Sequence, residues 1–167
     1  LRNACTEVTI EDDSDVCNLG SLNFARIDDL NQLQDVVQLS TQFLLCGTLR
    51  ATLPYEKVYQ VRDRNRRLGL GLMGLHEWLI QRVHRYETTS ELHRWFKVYE
   101  AESDKVARSF ANQLNISVPV AVRAVAPTGT IGILAGTSTG VEPIFAVAYK
   151  RRYLCLLYTS DAADEIV

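Results

Sequence analysis

No stretch of this chain approaches the ~18 consecutive apolar residues of a membrane-spanning helix, and no signal-peptide pattern opens it. Nor is one sign of charge in excess. A formal net charge of −2, with 23% charged residues, gives no argument for nucleic acid or a membrane as partner. Histidine is scarce: His76, His84 and His93 are scattered and read as satisfied or exposed side chains. The four cysteines form no CxxC pair, so the short-spaced ligand cluster of a zinc site is missing and no metal is expected. Such cysteine usage fits a reducing, cytoplasmic setting without a disulfide framework. Internal repeats, low-complexity blocks and flexible linkers are also lacking. With 167 residues, 47% of them hydrophobic, the chain has the content of roughly one globular domain.

The patterning predicts helices alternating with apolar strands, an α/β architecture. Residues 3–10 read as an extended segment with Cys5, Glu7 and Thr9 on one face, followed by turn material in EDDSD, 11–15. CNLGSLNF reads as a short strand or loop entering the core. Across 32–49 the apolar spacing of Leu33, Val36, Val37, Phe43, Leu44 and Thr48 predicts an amphipathic helix with Cys46 as a small buried hydrophobe. RDRNRR, 62–67, reads as a solvated helix end or turn. A capping box of Thr88 and Glu91 then opens a helix carrying Leu92, Trp95, Phe96, Tyr99, Val106, Phe110 and Leu114 on its apolar stripe, down to Asn115. The β-branched, Gly- and Thr-rich region 117–145 reads as strands joined by tight loops.

Two motifs invite a functional reading. Gly69, Gly71 and Gly74 satisfy G-x-G-x-x-G, but the segment follows an arginine-rich run instead of a buried strand. Leu68, Leu70, Leu72 and Met73 mark it as a buried strand itself, its glycines serving close packing. The second motif is N-x-C-x-E: Asn3, Cys5 and Glu7 at a two-residue period, with Cys17 twelve residues beyond Cys5. On pattern alone a strand with incidental polar residues explains these equally well, and a Cys-His hydrolase is conceivable although nothing ties a histidine to Cys5. PTGT, 127–130, is by itself an ordinary turn, though its hydroxyls and close N–H groups suit an anion.

Taken together, four ordered blocks resemble the large catalytic component of ribonucleotide reductase: N-x-C-x-E, DVCNLGSLNF (15–24), RRLGLGLMGL (66–75) and APTGTIGILAGTSTGVEPIF (126–145). The resemblance spans residues 1–154, and CNLGSLNF and APTGTIG make it closest to the adenosylcobalamin-dependent branch. It implies part of a ten-stranded α/β barrel threaded by a finger loop. By resemblance Cys5 at the loop tip becomes a thiyl radical that takes hydrogen from C3′ of a ribonucleotide, Glu7 takes the 3′-hydroxyl proton, and Asn3 holds the ribose. Cys17 matches one member of the reducing cysteine pair, its partner lying upstream in the family. Pro127, Thr128, Gly129, Thr130 and Ile131 match the phosphate loop. The resemblance further implies adenosylcobalamin as cofactor, a di- or triphosphate ribonucleotide as substrate, a thioredoxin-like dithiol as reductant, and a homodimer of the full-length enzyme. Ala4 departs from the proline usual between the Asn and the Cys, which implies a less rigid loop and unchanged chemistry.

Two readings from other classes stand beside it: a non-catalytic nucleotide-binding module built on the glycine segment and PTGT, and a glycyl-radical enzyme on the related barrel, against which Glu7 and Cys17 argue. Because the chain starts at Leu1 and is shorter than the ~200–250 residues of even an eight-stranded barrel, it reads as a fragment with exposed apolar barrel edges, inactive alone. Residues 155–167, CLLYTSDAADEIV, resemble an in-frame translation of a transposon-end sequencing adapter and read as a non-native tail.

Overall fold

Parallel pairing of two short strands organises the molecule. The computed structural model describes residues 1–146 and 148, so the expected boundary at residue 155 lies outside the described residues. In chain order come β1 (Asn18–Asn23), a 3₁₀ turn (Phe24–Arg26), α1 (Leu30–Arg50), α2 (Glu56–Asn65), β2 (Leu68–Met73), α3 (Leu75–Gln81), α4 (Ser90–Gln113) and α5 (Gly129–Leu134). β1 and β2 pair in parallel, with Asn18 opposite Leu68 and Asn23 opposite Met73. Such pairing needs a crossover connection, which α1 and α2 provide. Residues 120–124 add a third, irregular position beside β2: Leu68 N–H donates to Ala121 O and Leu70 N–H to Val122 O, both at 2.9 Å. The sheet is open: two parallel strands and one further bridge, with α1 packed against one side.

Strand alternation decides what each side holds. Asn18, Gly20 and Leu22 face α1: Asn18 Nδ2 donates to Leu44 O at 2.9 Å, and a Cβ on Gly20 would sit 3.1 Å from Leu44 Cδ2. Leu68, Leu70 and Leu72 share that side, buried with Leu33, Val37, Leu44 and Leu45 of α1 and Leu92, Trp95 and Tyr99 of α4. Trp78 completes the core at 0% exposure. Its ring meets Trp95 edge-on, centroids 5.1 Å apart, while Phe24 packs against both indoles. Arg82 stacks its guanidinium 4.1 Å from the centre of Trp78 and pairs with Glu91 at 3.2 Å, so the aromatic cluster ends in a cation–π contact.

Several local expectations need correction. Thr89, not Thr88, caps α4: its backbone is extended and its Oγ1 accepts from Leu92 N–H at 3.1 Å. Glu91 is drawn instead to Arg82. Cys46 is exposed rather than buried, and so is Phe43 at 74%. They lie on the side of α1 turned from the sheet. Arg62 of the basic run is buried, donating through Nη1 to Thr48 O and Leu49 O. There it satisfies carbonyls at the C-terminal end of α1 that no helical N–H can reach. Region 117–145 holds only a single parallel bridge, Arg123 to Leu70, and the short α5. Its β-branched residues follow the sheet edge without completing a regular ladder. The buried-strand reading of 68–73 holds: all six residues of β2 are buried.

Candidate functional site

Asn3, Cys5 and Glu7 do not sit on a strand face. An isolated antiparallel bridge joins Arg2 to Thr9, and the residues between fold into a tight loop. Thr6 N–H donates to Asn3 O at 3.0 Å, and Asn3 Oδ1 accepts from Val8 N–H at 3.1 Å. Thr6 adopts φ +64°, a left-handed conformation uncommon outside glycine. Two-residue alternation over so short a run was overridden by an Asn side chain that bonds its own loop backbone. Ala4 occupies the second position of the turn closed by Asn3 and Thr6, the place where a proline is readily accepted. The loop tip leaves Cys5 exposed. Glu7 is half-buried, and its Oε2 is fully enclosed with no hydrogen-bond partner in the protein. An acceptor in that condition carries a desolvation penalty of about 1–3 kcal/mol until a donor arrives.

Cys17 stands just before β1, half-buried. A Cβ on Gly69 would lie 3.0 Å from Cys17 Sγ and 2.3 Å from Leu19 Cδ2. Cys17 and Leu19 therefore share the side of the sheet opposite α1. Gly71 is needed there too, since a Cβ on it would lie 2.5 Å from Ala124 O, where the chain crosses closely. Burial pushes the Cys17 thiol up to about 11, Asp15 and Glu7 adding to the rise and Arg67 opposing it. Glu7, from the preceding loop, is near enough to Cys17 to contribute to that rise.

The acidic turn is more than a connector. Asp15 is paired with Arg67 at 3.0 Å, its side chain 0% exposed. Asn65 Nδ2 donates to both Asp12 and Asp15 at 3.1 Å, and Lys57 pairs with Asp13 at 2.6 Å. Hydrogen bonds from Asn65 and Arg64 hold Asp12 below the usual carboxylate range against the opposing effect of burial. None of Asp15, Asn65 and Arg67 stood out as a site residue in the sequence. The available signal was the opposite charge of EDDSD and RDRNRR, about fifty positions apart.

PTGTI lies in a separate loop. Thr128, at φ +55°, caps α5. Its Oγ1 accepts from Gly140 N–H at 2.7 Å, so this hydroxyl braces the loop from within. Pro127, Gly129, Thr130 and Ile131 are exposed, and the first intrahelical bond comes from Gly132 N–H to Thr128 O. The N–H groups of Gly129, Thr130 and Ile131 precede that bond, as the first donors of any helix do. The returning segment is tied to α3, where Thr137 Oγ1 donates to Glu77 Oε2 at 2.6 Å and Gly74 N–H to Ser138 O at 2.8 Å. Among the described residues no group of three or more His, Cys, Asp or Glu side chains could hold a metal, and no helix is long and apolar enough to cross a membrane.

Comparison with known proteins bears on the family and the fold. The family described as ribonucleotide reductase, barrel domain, matches residues 1–101. A Mycobacterium phage D29 protein named as an adenosylcobalamin-dependent ribonucleoside-triphosphate reductase is 37% identical over 159 residues, covering 90% of this chain and 23% of its own length. A vitamin B12-dependent ribonucleoside-diphosphate reductase of Thermoplasma acidophilum is 32% identical over 162 residues, covering 83% and 21% respectively. The crystal structure of a B12-dependent class II ribonucleotide reductase superposes with a TM-score of 0.67 at 20% identity, over 76% of this chain and 20% of that one. The chain therefore spans under a quarter of the length of these two relatives. Its unclosed parallel sheet and outer helices are part of an α/β barrel, and the chain belongs to the ribonucleotide reductase barrel-domain family.

Proposed function

We propose that this chain is the catalytic-barrel portion of an enzyme that converts ribonucleoside di- or triphosphates to 2′-deoxyribonucleotides for DNA precursor synthesis, by thiyl-radical chemistry with oxidation of a dithiol. One observation carries the reading. An unpartnered, enclosed carboxylate oxygen of Glu7 shares a tight loop with the exposed Cys5 thiol and lies within electrostatic reach of Cys17. That is the equipment for moving a proton, a hydrogen atom and an electron pair at one sugar.

In this mechanism the Cys5 thiyl takes the hydrogen atom from C3′. Glu7 accepts the 3′-hydroxyl proton, which eases loss of the 2′-hydroxyl as water. Cys17 and a second thiol supply two electrons as they close to a disulfide, and Cys5 returns its hydrogen to C3′. Asn3, whose Oδ1 is engaged by Val8 N–H, offers its amide donors to the ribose. Pro127, Thr128, Gly129, Thr130 and Ile131 form the phosphate loop, with the hydroxyl of Thr130 and the first N–H groups of α5 as donors. Positioning of these groups within hydrogen-bond reach accounts for much of the rate.

Adenosylcobalamin, when bound, supplies the initiating radical. The exposed Cys5 thiol would be the side chain that meets that radical; no described residue is assigned to hold the corrin. A thioredoxin-like dithiol protein restores the reduced pair, which belongs in the cytoplasm where thiols stay reduced. A homodimer of the full-length enzyme belongs to the same reading, and the exposed Leu39 and Phe43 of α1 are apolar surface it could cover.

The test is turnover of the full-length enzyme on ribonucleoside di- and triphosphates, with and without adenosylcobalamin and with no second subunit. Cys5→Ser should cut turnover by at least about 10³-fold, ~4 kcal/mol in the barrier, while nucleotide binding stays within twofold. Retained turnover in Cys5→Ser would end the thiyl assignment.

A further inference from the structure

Cys17 is flanked by residues to which the reaction gives no role. In the parallel register Asn18 lies opposite Leu68, so Cys17 and Arg67 stand side by side where the two strands enter the sheet. Arg67 Nε donates to Asp15 Oδ2 at 3.0 Å, Asn65 Nδ2 donates to the same oxygen at 3.1 Å, and Val16 N–H donates to Oδ1 at 2.9 Å. Both carboxylate oxygens are thus used by residues flanking Cys17 in sequence or across the ladder. A carboxylate with 0% exposure persists only when paired and hydrogen-bonded in this way. On the other side, the missing Cβ of Gly69 leaves the space into which Cys17 Sγ fits.

We propose that the buried Asp15–Arg67 pair is a positioning device for Cys17, fixing where its sulfur sits above Gly69 and the electric field it feels. This rests on the reading of Cys17 as a reducing thiol. The charged groups facing it are Arg67, Asp15 and Glu7, and burial dominates, raising the thiol to about 11. At neutral pH Cys17 therefore enters the reductive step carrying its hydrogen. Closing the disulfide with the second thiol releases two protons and two electrons, and the electrons pass to the nucleotide as its 2′-hydroxyl leaves as water.

The experiment follows iodoacetamide labelling of each cysteine by peptide mass spectrometry, from neutral to alkaline pH, in the full-length protein. In the wild type the labelling rate of Cys17 keeps rising into the alkaline range, because only thiolate reacts and burial raises this thiol. Asp15→Asn, which removes one negative charge, moves the Cys17 midpoint down and lowers kcat while the nucleotide KM holds. Arg67→Gln moves the midpoint up, and Arg67→Lys brings it back. Asp15 and Arg67 variants that share the wild-type midpoint would overturn the proposal, whatever their thermal stability. If neither variant folds, Asp15→Glu decides: it keeps the charge but displaces it, so a Cys17 midpoint and a kcat that both match the wild type overturn the proposal. Failure of the functional reading looks different: Cys5→Ser keeps turnover while the midpoint shifts persist.

Discussion

Leu68, Leu70 and Leu72 alternate with Gly69 and Gly71 along one strand, and the two faces they create have little in common. On the leucine face α1 and α4 close over the sheet and bury the aromatic cluster of Phe24, Trp78 and Trp95. On the glycine face Cys17 and Leu19 lie in the space that side chains would have filled, Leu19 remaining 41% exposed. One face is shaped by filling volume and the other by leaving it empty. Helices seal the leucine face, while residues 124 and 125 cross close over the glycine face. A closed face and an open one are thereby separated by a single residue step along the same backbone.

Substitutions that enlarge or remove side chains should break the two faces in opposite ways. Trp78→Ala, on the closed face, leaves a large cavity among rigid rings and should cost about 3–5 kcal/mol in the full-length protein, read by denaturant unfolding. Gly71→Ala attacks the open face by insertion: its Cβ meets Ala124 O at 2.5 Å, a backbone atom that cannot rotate away. The expected loss is about 1–3 kcal/mol. Gly69→Ala should be milder, since its nearest obstruction is the end of the Leu19 side chain, and Cys17 labelling should change more than the unfolding midpoint does. Thr89→Ala touches neither face. It removes the α4 cap and should cost about 1 kcal/mol, measured in the same unfolding experiment. If Gly71→Ala were neutral, the close crossing of residues 124 and 125 would be wrong.

Much of the fold was legible because periodicity reports burial directly. The 3.6-residue spacing in α1 and α4 and the leucine alternation in β2 each describe a surface that must be covered. The blocks carrying the family resemblance were equally legible, being local. What escaped reading depended on particular side-chain bonds and on which segments meet. Residues 3–7 alternate like a strand, yet the Arg2–Thr9 bridge and the Asn3 side chain bend them into a loop. Cys46 shares the apolar composition of α1 but lies where no described residue covers it. EDDSD and RDRNRR each look solvated alone, and only folding makes Asp15 and Arg67 a buried pair.

By itself, then, the order of residues determined the two long helices α1 and α4 and the buried strand β2, since each follows from short-range periodicity. Tertiary structure decided that Gly69 makes room for the Cys17 sulfur and that Asp15 is buried against Arg67. The physical reason is range. Propensity and alternation act over a few residues, whereas desolvation, charge pairing and steric room depend on whichever segments meet, and here those segments come from about fifty positions apart.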